Sequence, residues 1–255
     1  MPTLKVMSFN MRNDYSPDGI NVFPNRKPRI LEMLAREQPD LIGTQETTDN
    51  MRDFLRDELK GYTLYGCGRE ADYRGEHNLI LLKNGRFEVV EMRNEALSFE
   101  PGRPGTTFGG DQSTCSRMYT YLRIKPSDGE VFQMVNTHLD HVGRQARKFG
   151  MAQILQHLSV RQEKWILTGD MNAFPDSEEI RMVTAIPGHP VTDCTDGLER
   201  TYHGYGTAPL HEGRIDYIFT DGICDPANSY AVPDPVTEGV YYSDHQAVCA
   251  FVTLP

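Results

Sequence analysis

The chain has 255 residues, of which 38% are hydrophobic and 24% are charged, and this usage is ordinary for a globular protein with a sizeable core. The composition excludes intrinsic disorder and collagen-like structure, and no apolar run approaches the roughly 18–20 residues that a membrane-spanning helix needs. The 26 Lys and Arg against 36 Asp and Glu give a formal net charge of −10. A chain this acidic is not expected to track along a polyanion, but it can hold a small phosphorylated substrate through a metal ion and a few donors.

The cysteines and the first residues bear on the compartment. Five cysteines, odd in number and widely spaced without a CxxC pair, indicate buried or incidental thiols and neither a zinc site nor a disulfide framework. The chain opens Met1-Pro2-Thr3 and enters a strand-like run without the basic and apolar regions of a secretory signal. We therefore expect a cytoplasmic location, with secretion left open for a longer precursor. No membrane span and no protein partner are predicted.

Strand and helix patterns alternate from the start. A short β-prone run, Leu4–Phe9, precedes an amphipathic helix over Asn25–Arg36, whose first turn contains Pro28. A buried strand follows at Leu41–Gly43, and a second helix is predicted over Thr48–Leu59.

Consecutive strands come next, with turn signals at Asn84-Gly85 and at Ser127-Asp128-Gly129 between them. They are Leu79–Leu82, Phe87–Met92, Met118–Ile124 and Val131–Thr137. The later elements are a helix over Gly143–Leu158, a strand at Trp165–Thr168, a short helix from about Asp176, and strands at Ile215–Thr220 and Gln246–Val252. Strands interleaved with helices predict two sheets packed together with helices outside, in one domain over residues 1–255.

Polar side chains interrupt or follow the apolar strand runs. They are Asn10, Glu46, His138, Asp170, Asn172, Asp216, Asp244 and His245. An Asn or Asp at a strand end is usually a turn residue, and a lone His is usually a surface or core group. Strand ends that converge on one rim are, however, where open α/β sheets build active sites. The repeated placement therefore predicts a functional site.

The residue types indicate a chemistry. The carboxylates of Glu46, Asp170 and Asp244, with amide oxygens of Asn10 or Asn172, are hard oxygen ligands. Such ligands favour Mg²⁺ or Mn²⁺, whereas Zn²⁺ prefers Cys and His.

The sequence also contains side chains that can transfer protons and neutralise the charge of a phosphate. His138 and His245 titrate near neutral pH, and each needs a carboxylate to fix its tautomer. Arg117 can neutralise a non-bridging phosphate oxygen with a bidentate fork. Together with a metal ion, these groups describe the hydrolysis of a phosphate ester.

The ordered motifs carry a resemblance. They are Ser-Phe-Asn10-Met-Arg, Gly-Thr-Gln-Glu46, Asn-Thr-His138-Leu-Asp-His, Thr-Gly-Asp170-Met-Asn172, Arg-Ile-Asp216-Tyr-Ile-Phe and Ser-Asp244-His245. In this order, from Phe9 to His245, they resemble the endonuclease/exonuclease/phosphatase family of the deoxyribonuclease-I-like superfamily, and in particular its bacterial metal-dependent hydrolases. The resemblance implies a four-layered α/β sandwich, in which two packed mixed β-sheets are flanked by helices. Asn25-Arg26-Lys27 near the first helix also resembles the bacterial group.

The resemblance implies a metal site and a set of roles. Glu46 would be the principal Mg²⁺ ligand, with Mn²⁺ as a substitute. Asn10 would lie beside it on the metal or the phosphate, and Asp244 would approach the metal directly or through water. Asp170 would orient or deprotonate the attacking water or assist the leaving group. Asn172 would hold a phosphate oxygen.

The remaining roles concern the histidines and the arginine. His245 would be the general base or a phosphate-stabilising cation, with Asp216 as its orienting carboxylate. His138 would bind the scissile phosphate and act as an acid, with Glu76 as its partner. Arg117 resembles an arginine that precedes the central strand in these relatives. The predicted substrate-binding residues are Asn172, Arg117 and Asn78.

Substrate choice is expected to come from the loops after the strand ends, 14–23, 70–76, 100–114 and 201–213. In the last of these, Tyr202, His203 and Tyr205 either stack a base or sugar or pack as an ordered surface loop. His77, His141 and His203 are interpreted as supporting or surface groups. Tyr121 and Gln246 stand where bacterial relatives commonly carry Trp and Arg.

The favoured function is Mg²⁺-dependent hydrolysis of a phosphodiester in a small molecule or a short single-stranded nucleic acid. The alternatives are a nuclease or DNA-repair endonuclease on a polynucleotide, and a sugar- or inositol-phosphate phosphatase. A non-catalytic binding module would be expected to lack Glu46, Asp170 or His245, and all three are present.

Overall fold

The computed structural model describes residues 3–209 and 213–255, and its strands form two β-sheets. The strands are β1 (Thr3–Asn10), β2 (Leu41–Thr47), β3 (Tyr62–Tyr65), β4 (His77–Lys83), β5 (Phe87–Ala96), β6 (Met118–Pro126), β7 (Phe132–His138), β8 (Trp165–Asp170), β9 (Thr192–Asp193), β10 (Asp216–Thr220), β11 (Ile223–Cys224), β12 (Tyr230–Ala231) and β13 (Val248–Thr253). The α-helices are α1 (Phe23–Glu37), α2 (Asp49–Glu58), α3 (Arg144–Ser159) and α4 (Glu178–Thr184).

Both sheets are mixed. Sheet I has the order β11-β13-β1-β2-β4-β3, with β12 also paired to β13, and sheet II has the order β5-β6-β7-β8-β10-β9. The parallel pairs are β1 with β2 and β7 with β8, and the other pairs are antiparallel. A parallel pair needs a crossover connection, which α1 supplies in sheet I and α3 in sheet II.

Three apolar layers hold the fold together, and strand alternation builds them. Along β1, Leu4 and Val6 face sheet II, whereas Met7 and Phe9 face the helices. The inter-sheet layer includes Leu4, Val6, Ile80, Leu122, Met134, Ile166, Ile218 and Val248. The outer layers contain Ile30, Leu34, Met51 and Leu55 over sheet I, and Met151, Ile154, Ile180 and Val183 over sheet II. The prediction of a four-layered sandwich is thereby confirmed.

Local chemistry sets the helix boundaries. Helix α2 begins at Asp49 because the hydroxyl of Thr48 accepts a hydrogen bond from the Met51 amide at 3.4 Å. Helix α1 ends at Glu37, since Gln38 adopts a left-handed conformation with φ of 45°. The short edge strand β3 was not predicted, because its side chains are only partly buried and show no strict alternation.

Two further predictions can be compared with the structure. All five cysteines are free thiols, as the spacing predicted. Within the described residues no helix has the length and apolar character needed to cross a membrane.

The sheets bring the predicted polar residues to one rim. Parallel strands end on the same side of a sheet. Asn10 at the end of β1 therefore lies near Glu46 at the end of β2, and His138 lies opposite Asp170. Strand β10 runs antiparallel to β8 and begins at Asp216, directly opposite Asp170. The residues before β13 reach the same rim beyond the end of β1.

A buried carboxylate ties the end of α1 to sheet I. Glu37 accepts hydrogen bonds from Lys5 Nζ at 2.9 Å, Tyr230 Oη at 2.7 Å and Arg36 Nε at 2.9 Å. Burial would raise the pKa of Glu37, but these hydrogen bonds outweigh burial and lower that pKa to about 2.

Glu37→Gln is expected to lower the free energy of unfolding by about 1–3 kcal/mol at pH 7, because it removes a charged acceptor of three hydrogen bonds. A lowered folded-state pKa stabilises the fold above the ordinary value near 4.5. The difference between wild type and variant should therefore shrink as the pH falls from 4.5 toward 2. Urea unfolding between pH 7 and pH 3 measures it, with the exposed Glu32→Gln on the same helix as control. A difference that is constant over this range would contradict the assignment.

Candidate active site

A cavity of about 530 Å³ opens between the rims of the two sheets, and most of the predicted site residues line it. The predicted residues in its wall are Glu46, Glu76, Arg117, His138, Asp170, Asn172, Asp244 and His245. Asn10 and Asp216 are fully buried directly behind them. Asn78 lies in an adjoining crevice with its Nδ2 on the Met118 carbonyl at 2.8 Å, so it supports the wall without facing the main cavity.

Glu46 is delivered to the cavity by an irregularity in β2. The pairing of β2 with β4 shifts register between Thr44 and Thr47, and Glu46 has a left-handed φ of 56°. Such a bulge re-aims a side chain at a local cost of about 1–3 kcal/mol. The Glu46 carboxylate accepts from Asn10 Nδ2 at 3.0 Å and from the backbone and side chain of Asn13 at 3.1 and 2.8 Å. Burial raises the pKa of Glu46, but these bonds outweigh it, so the carboxylate stays ionised.

Asn10 joins the carboxylates of the two sheets. Its Oδ1 accepts from the Arg12 backbone amide at 2.9 Å, and this bond fixes the orientation of the side-chain amide. Its Nδ2 then donates to Glu46 Oε1 at 3.0 Å and to Asp170 Oδ2 at 2.9 Å. The expectation that Asn10 contacts a metal or phosphate differs from this arrangement, because the amide oxygen is turned to the backbone. Asn10 acts here as a donor to two carboxylates.

Asp216, His245 and Asp170 form a connected trio. His245 Nδ1 donates to Asp216 Oδ2 at 2.9 Å, and His245 Nε2 lies 3.7 Å from Asp170 Oδ2. Burial lowers the pKa of His245, but the carboxylates of Asp216 and Asp170 outweigh burial and raise it to about 10. Burial, with the neighbouring Asp216 carboxylate, raises the pKa of Asp170. The predicted orienting contact between Asp216 and His245 is present.

His138 has the opposite electrostatic environment. Its Nε2 lies 3.5 Å from Asp170 Oδ2, and the residue is 6% exposed. Burial, followed by the positive charges of Arg117 and Arg69, moves the pKa of His138 well below its ordinary value. The cavity therefore holds one imidazolium, His245, and one neutral imidazole, His138, and two groups with opposed pKa shifts are suited to different roles.

Glu76 is not the partner of His138. Its carboxylate accepts from the Tyr15 hydroxyl and from Arg69 Nη1, the latter at 2.6 Å, and the described residues show no hydrogen bond or ion pair between Glu76 and His138. Glu76 precedes β4 in sheet I, whereas His138 ends β7 in sheet II, and the loop carrying Arg69 folds back on Glu76. The carboxylate nearest to His138 is Asp170.

Arg117 and Asn172 present groups to the cavity. Arg117 is 5% exposed and donates through Nη2 to His141 Nδ1 at 3.0 Å. Its Nε lies 3.8 Å from Asp140, and in the described part of the chain Nε and Nη1 have no hydrogen-bond partner. Asn172 has a left-handed φ of 47°, and its Nδ2 donates to the Leu139 carbonyl at 3.1 Å.

Sequence reasoning missed three arginines at this site. Arg12 forms a bidentate pair with Asp18 at 2.9 Å and lies 3.5 Å from Asp244 Oδ2. Arg69 lines the cavity beside Glu76. Arg12 and Arg26 belong to quoted motifs but were given no role. The role of such an arginine depends on which elements enclose it, and the sequence alone carries no signal for that.

Arg26 is fully buried, and among the residues that the structure describes it has no carboxylate partner and donates to backbone carbonyls alone. Its acceptors, between 2.6 and 3.3 Å away, are Met11, Arg12, Asn13, Asn21 and Tyr242. These carbonyls belong to the segments that carry Asn13 toward Glu46 and Asp244 toward the cavity. Arg26 therefore sets the backbone course of two site segments at once.

The oxygen donors fit a divalent cation. Glu46 and Asp244 both line the cavity, and Asp244 is only 4% exposed. Burial, with a contribution from the Glu46 charge, raises the pKa of Asp244. Two confined carboxylates that repel one another are relieved by a cation, and an all-oxygen set suits Mg²⁺ or Mn²⁺. Ligand atoms of Asp170, Asp216 and His245 also lie within 4.8 Å of one another. In that trio His245 Nδ1 is already bonded to Asp216.

Comparisons with known proteins show the family and the fold of the chain. The model of the endonuclease/exonuclease/phosphatase family matches residues 7–245. An endonuclease/exonuclease/phosphatase from Bacteroides vulgatus has 26% identity and a TM-score of 0.91, with 100% of both chains covered. A mannosyl-6-phosphatase from Bacteroides thetaiotaomicron has 26% identity and a TM-score of 0.82, covering 98% of this chain and 100% of its own.

A more distant structure shares the fold alone. TDP2 of D. rerio, complexed with a single-strand DNA product, has 18% identity and a TM-score of 0.76, covering 99% of this chain and 100% of its own. No curated protein matches the chain.

Arg26→Met should lower the free energy of unfolding by about 3 kcal/mol or more, because several buried carbonyl groups lose their donor. Urea unfolding followed by circular dichroism measures the change. The control is Arg56→Met, which removes an exposed arginine and should leave the free energy of unfolding nearly unchanged. If the two variants lose the same free energy of unfolding, the structural role of Arg26 is contradicted.

Proposed function

The chain belongs to the endonuclease/exonuclease/phosphatase family and is a phosphoric ester hydrolase, and from this premise we propose that it hydrolyses a small phosphorylated molecule with the help of a divalent metal ion. The observation that carries the proposal is one cavity in which Glu46 and Asp244 face an imidazolium, a neutral imidazole and a carboxylate of raised pKa. These are the groups that metal-assisted attack of water on phosphorus requires.

A Mg²⁺ or Mn²⁺ ion held by Glu46 and Asp244 would polarise a phosphoryl oxygen and neutralise developing charge. Asn10 and Asn13 keep the Glu46 carboxylate oriented and ionised for this purpose. Arg12 lies 3.5 Å from Asp244 and limits the negative charge at that end of the cavity.

Asp170 is proposed as the base that takes the proton of the attacking water. Its raised pKa brings a carboxylate closer to the working pH, where a general base is most effective. His245, protonated and held by Asp216, stabilises charge on the phosphoryl group and can return a proton to the leaving oxygen. The site thus favours the cationic role of His245 over the role of general base.

His138 and Asn172 are proposed to hold the phosphoryl group. A neutral His138 donates a hydrogen bond to a phosphate oxygen and is a poor acid, because its pKa lies well below its ordinary value. The acid role expected for His138 therefore passes to His245 in this proposal. Asn78 and Glu76 line the crevice next to His138, where Asn78 is bonded to the Met118 carbonyl and Glu76 to Arg69.

A phosphomonoester of a small molecule is the substrate class that we favour. The cavity of about 530 Å³ has the size of a small-molecule site. A protein similar over the whole chain is a mannosyl-6-phosphatase, which supports a sugar phosphate as the type of substrate. The net charge of −10 disfavours a polynucleotide.

A small phosphodiester with a nucleoside or similar ring is the second candidate, and one observation favours it. The Tyr202 ring packs at 4.9 Å against His245, and Tyr241 packs against both His203 and Tyr205 beside it. Aromatic faces of this kind can stack a base.

A single working domain over residues 1–255 and a cytoplasmic location both stay predictions.

Metal removal tests the proposal. Hydrolysis of p-nitrophenyl phosphate and of bis-p-nitrophenyl phosphate should vanish in EDTA and return with Mg²⁺ or Mn²⁺, with the monoester preferred. Glu46→Ala should lose at least ~100-fold in kcat, whereas the exposed Glu58→Ala should keep wild-type kinetics. Full activity in EDTA would overturn the metal-dependent reaction. Preference for the diester would transfer the assignment to the second candidate.

Asp216→Asn tests the orienting contact. The amide cannot balance the His245 charge, so kcat should fall by about 100-fold or more while KM changes little. The matched control is Asp193→Asn, which alters a carboxylate on the neighbouring edge strand that accepts from Arg214. A near-wild-type kcat in folded Asp216→Asn would remove Asp216 from the mechanism.

A further inference from the structure

One end of the cavity is lined by hydrogen-bond donors that the proposed reaction does not use. Arg69 comes from the loop after β3 in sheet I, and Arg117 precedes β6 in sheet II, so the two side chains enter the same cavity from opposite walls. The adjoining crevice is lined by both arginines and by His138. We call Arg69, Arg117 and His141 the arginine end of the cavity.

Part of each guanidinium at the arginine end is bonded, Arg117 Nη2 to His141 and Arg69 Nη1 to Glu76, and part of each is not. Arg117 is 5% exposed, and among the described residues its Nε and Nη1 have no hydrogen-bond partner; the same is true of Arg69 Nε. A buried N–H group without an acceptor costs about 1–3 kcal/mol and calls for an explanation. A ligand oxygen that enters the cavity would remove that cost.

The nearby carboxylates leave these groups without a hydrogen bond in the described part of the chain, although Arg69 Nε lies 3.5 Å from Glu70 Oε1. Asp140 already accepts from Ser113, Val142 and Gly143, and it approaches Arg117 Nε only to 3.8 Å. Glu76 accepts from the Tyr15 hydroxyl and from Arg69 Nη1. The arginine end therefore offers donors to a ligand and few acceptors.

The two guanidinium groups also act on each other, although Glu76 and Asp140 offset part of their charge. Arg117 and Arg69 both lower the pKa of His138, and Arg69 contributes to lowering the pKa of Arg117 after burial, so the two guanidinium groups repel one another. An anion between them relieves this repulsion, and planar guanidinium groups match the oxygens of a carboxylate or phosphate.

The arginine end is displaced from the metal-ligand end. Among the described residues the crevice beside Arg69 and Arg117 is lined by neither Glu46 nor Asp244, and in sheet II the backbone of Arg117 lies two strands, ~10 Å, from that of Asp170. The Arg117 guanidinium is fastened to His141, which follows β7. One phosphoryl group placed between Glu46 and His245 leaves room for another part of the substrate here.

We propose that Arg69 and Arg117 form a subsite for a second anionic group of the substrate, a phosphate or a carboxylate carried by the same small molecule as the reacting phosphate. The inference rests on the proposed phosphoesterase function and narrows its substrate class to doubly anionic phosphomonoesters. Arg69 and Arg117 set specificity in this account, and the reacting atoms lie at the metal-ligand end.

The test compares three hexose derivatives that differ at one position. Glucose 6-phosphate has no second anion, 6-phosphogluconate adds a carboxylate, and glucose 1,6-bisphosphate adds a phosphate. Initial rates of phosphate release with Mg²⁺ give kcat/KM for wild type, Arg69→Gln, Arg117→Gln and Arg74→Gln. Arg74 is the matched control, because its guanidinium is 75% exposed and makes no part of the cavity wall.

Wild type should prefer at least one doubly anionic substrate over glucose 6-phosphate by tenfold or more in kcat/KM. Arg69→Gln and Arg117→Gln should each reduce that preference at least tenfold, mainly through KM, and Arg74→Gln should retain it. Which of the two substrates is preferred identifies the second anion as a carboxylate or a phosphate. If Arg69→Gln does not fold, Arg69→Lys, which keeps the charge beside Glu76 but lacks the planar fork, should still show a reduced preference.

Three results would overturn the subsite. Wild type without a preference, or variants that lose the same factor with all three substrates, would mean that the arginines serve the reacting phosphate, and the phosphoesterase proposal would stand. Absence of metal-dependent release from every substrate, including p-nitrophenyl phosphate, would overturn the proposed function and the subsite with it.

Discussion

The side-chain amide of Asn10 is the interaction on which the site depends, because it connects acidic groups from the two sheets. The amide donates to Glu46 in sheet I and to Asp170 in sheet II, and its own oxygen is fixed by the Arg12 backbone. Deeper between the sheets, Asn136 of sheet II donates to the carbonyl groups of Thr44 and Leu79 in sheet I. At the rim, the link through Asn10 of about 3 Å keeps the two carboxylates at a defined separation.

The rest of the rim is held by its own buried contacts. Glu46 adopts a left-handed backbone within a bulge, and Asn10 and Asn13 hold its carboxylate. Local strain of this kind persists only where surrounding contacts determine the backbone. Arg26 binds carbonyl groups of the segment that follows β1, which contains Asn13, and of the segment before β13. Stability and the geometry of the site are therefore coupled in this region.

The charges around the two histidines shift their pKa values in opposite directions. His245 lies among carboxylates and is held as an imidazolium, whereas His138 lies on the side of the arginines and is held neutral. Both residues are buried, so the difference comes from the charges that each one faces and not from solvent access. A single cavity can in this way present a cation and a neutral donor to one phosphoryl group at the same pH.

Sequence reasoning located the strand ends because apolar alternation stops where a polar residue turns into the rim, as at Asn10, His138 and Asp170. Parallel strands then bring such ends together, so the members of the site could be predicted before their contacts. Contacts that depend on loop paths could not. The orientation of Asn10 depends on one backbone amide, and Glu76 pairs with Arg69 because a loop folds back on it. Arg26 and Arg69 acquire their roles only when the elements that enclose them are in place.

The most direct test of this account is the binding of Mn²⁺ measured by isothermal titration calorimetry on wild type, Glu46→Gln, Asp216→Asn and the control Glu58→Gln. If Glu46 is a metal ligand, Glu46→Gln should weaken Mn²⁺ binding at least ~30-fold, while Asp216→Asn and Glu58→Gln should bind nearly as wild type does. Unchanged binding by Glu46→Gln together with lost binding by Asp216→Asn would place the ion on Asp170, Asp216 and His245 and would contradict the account.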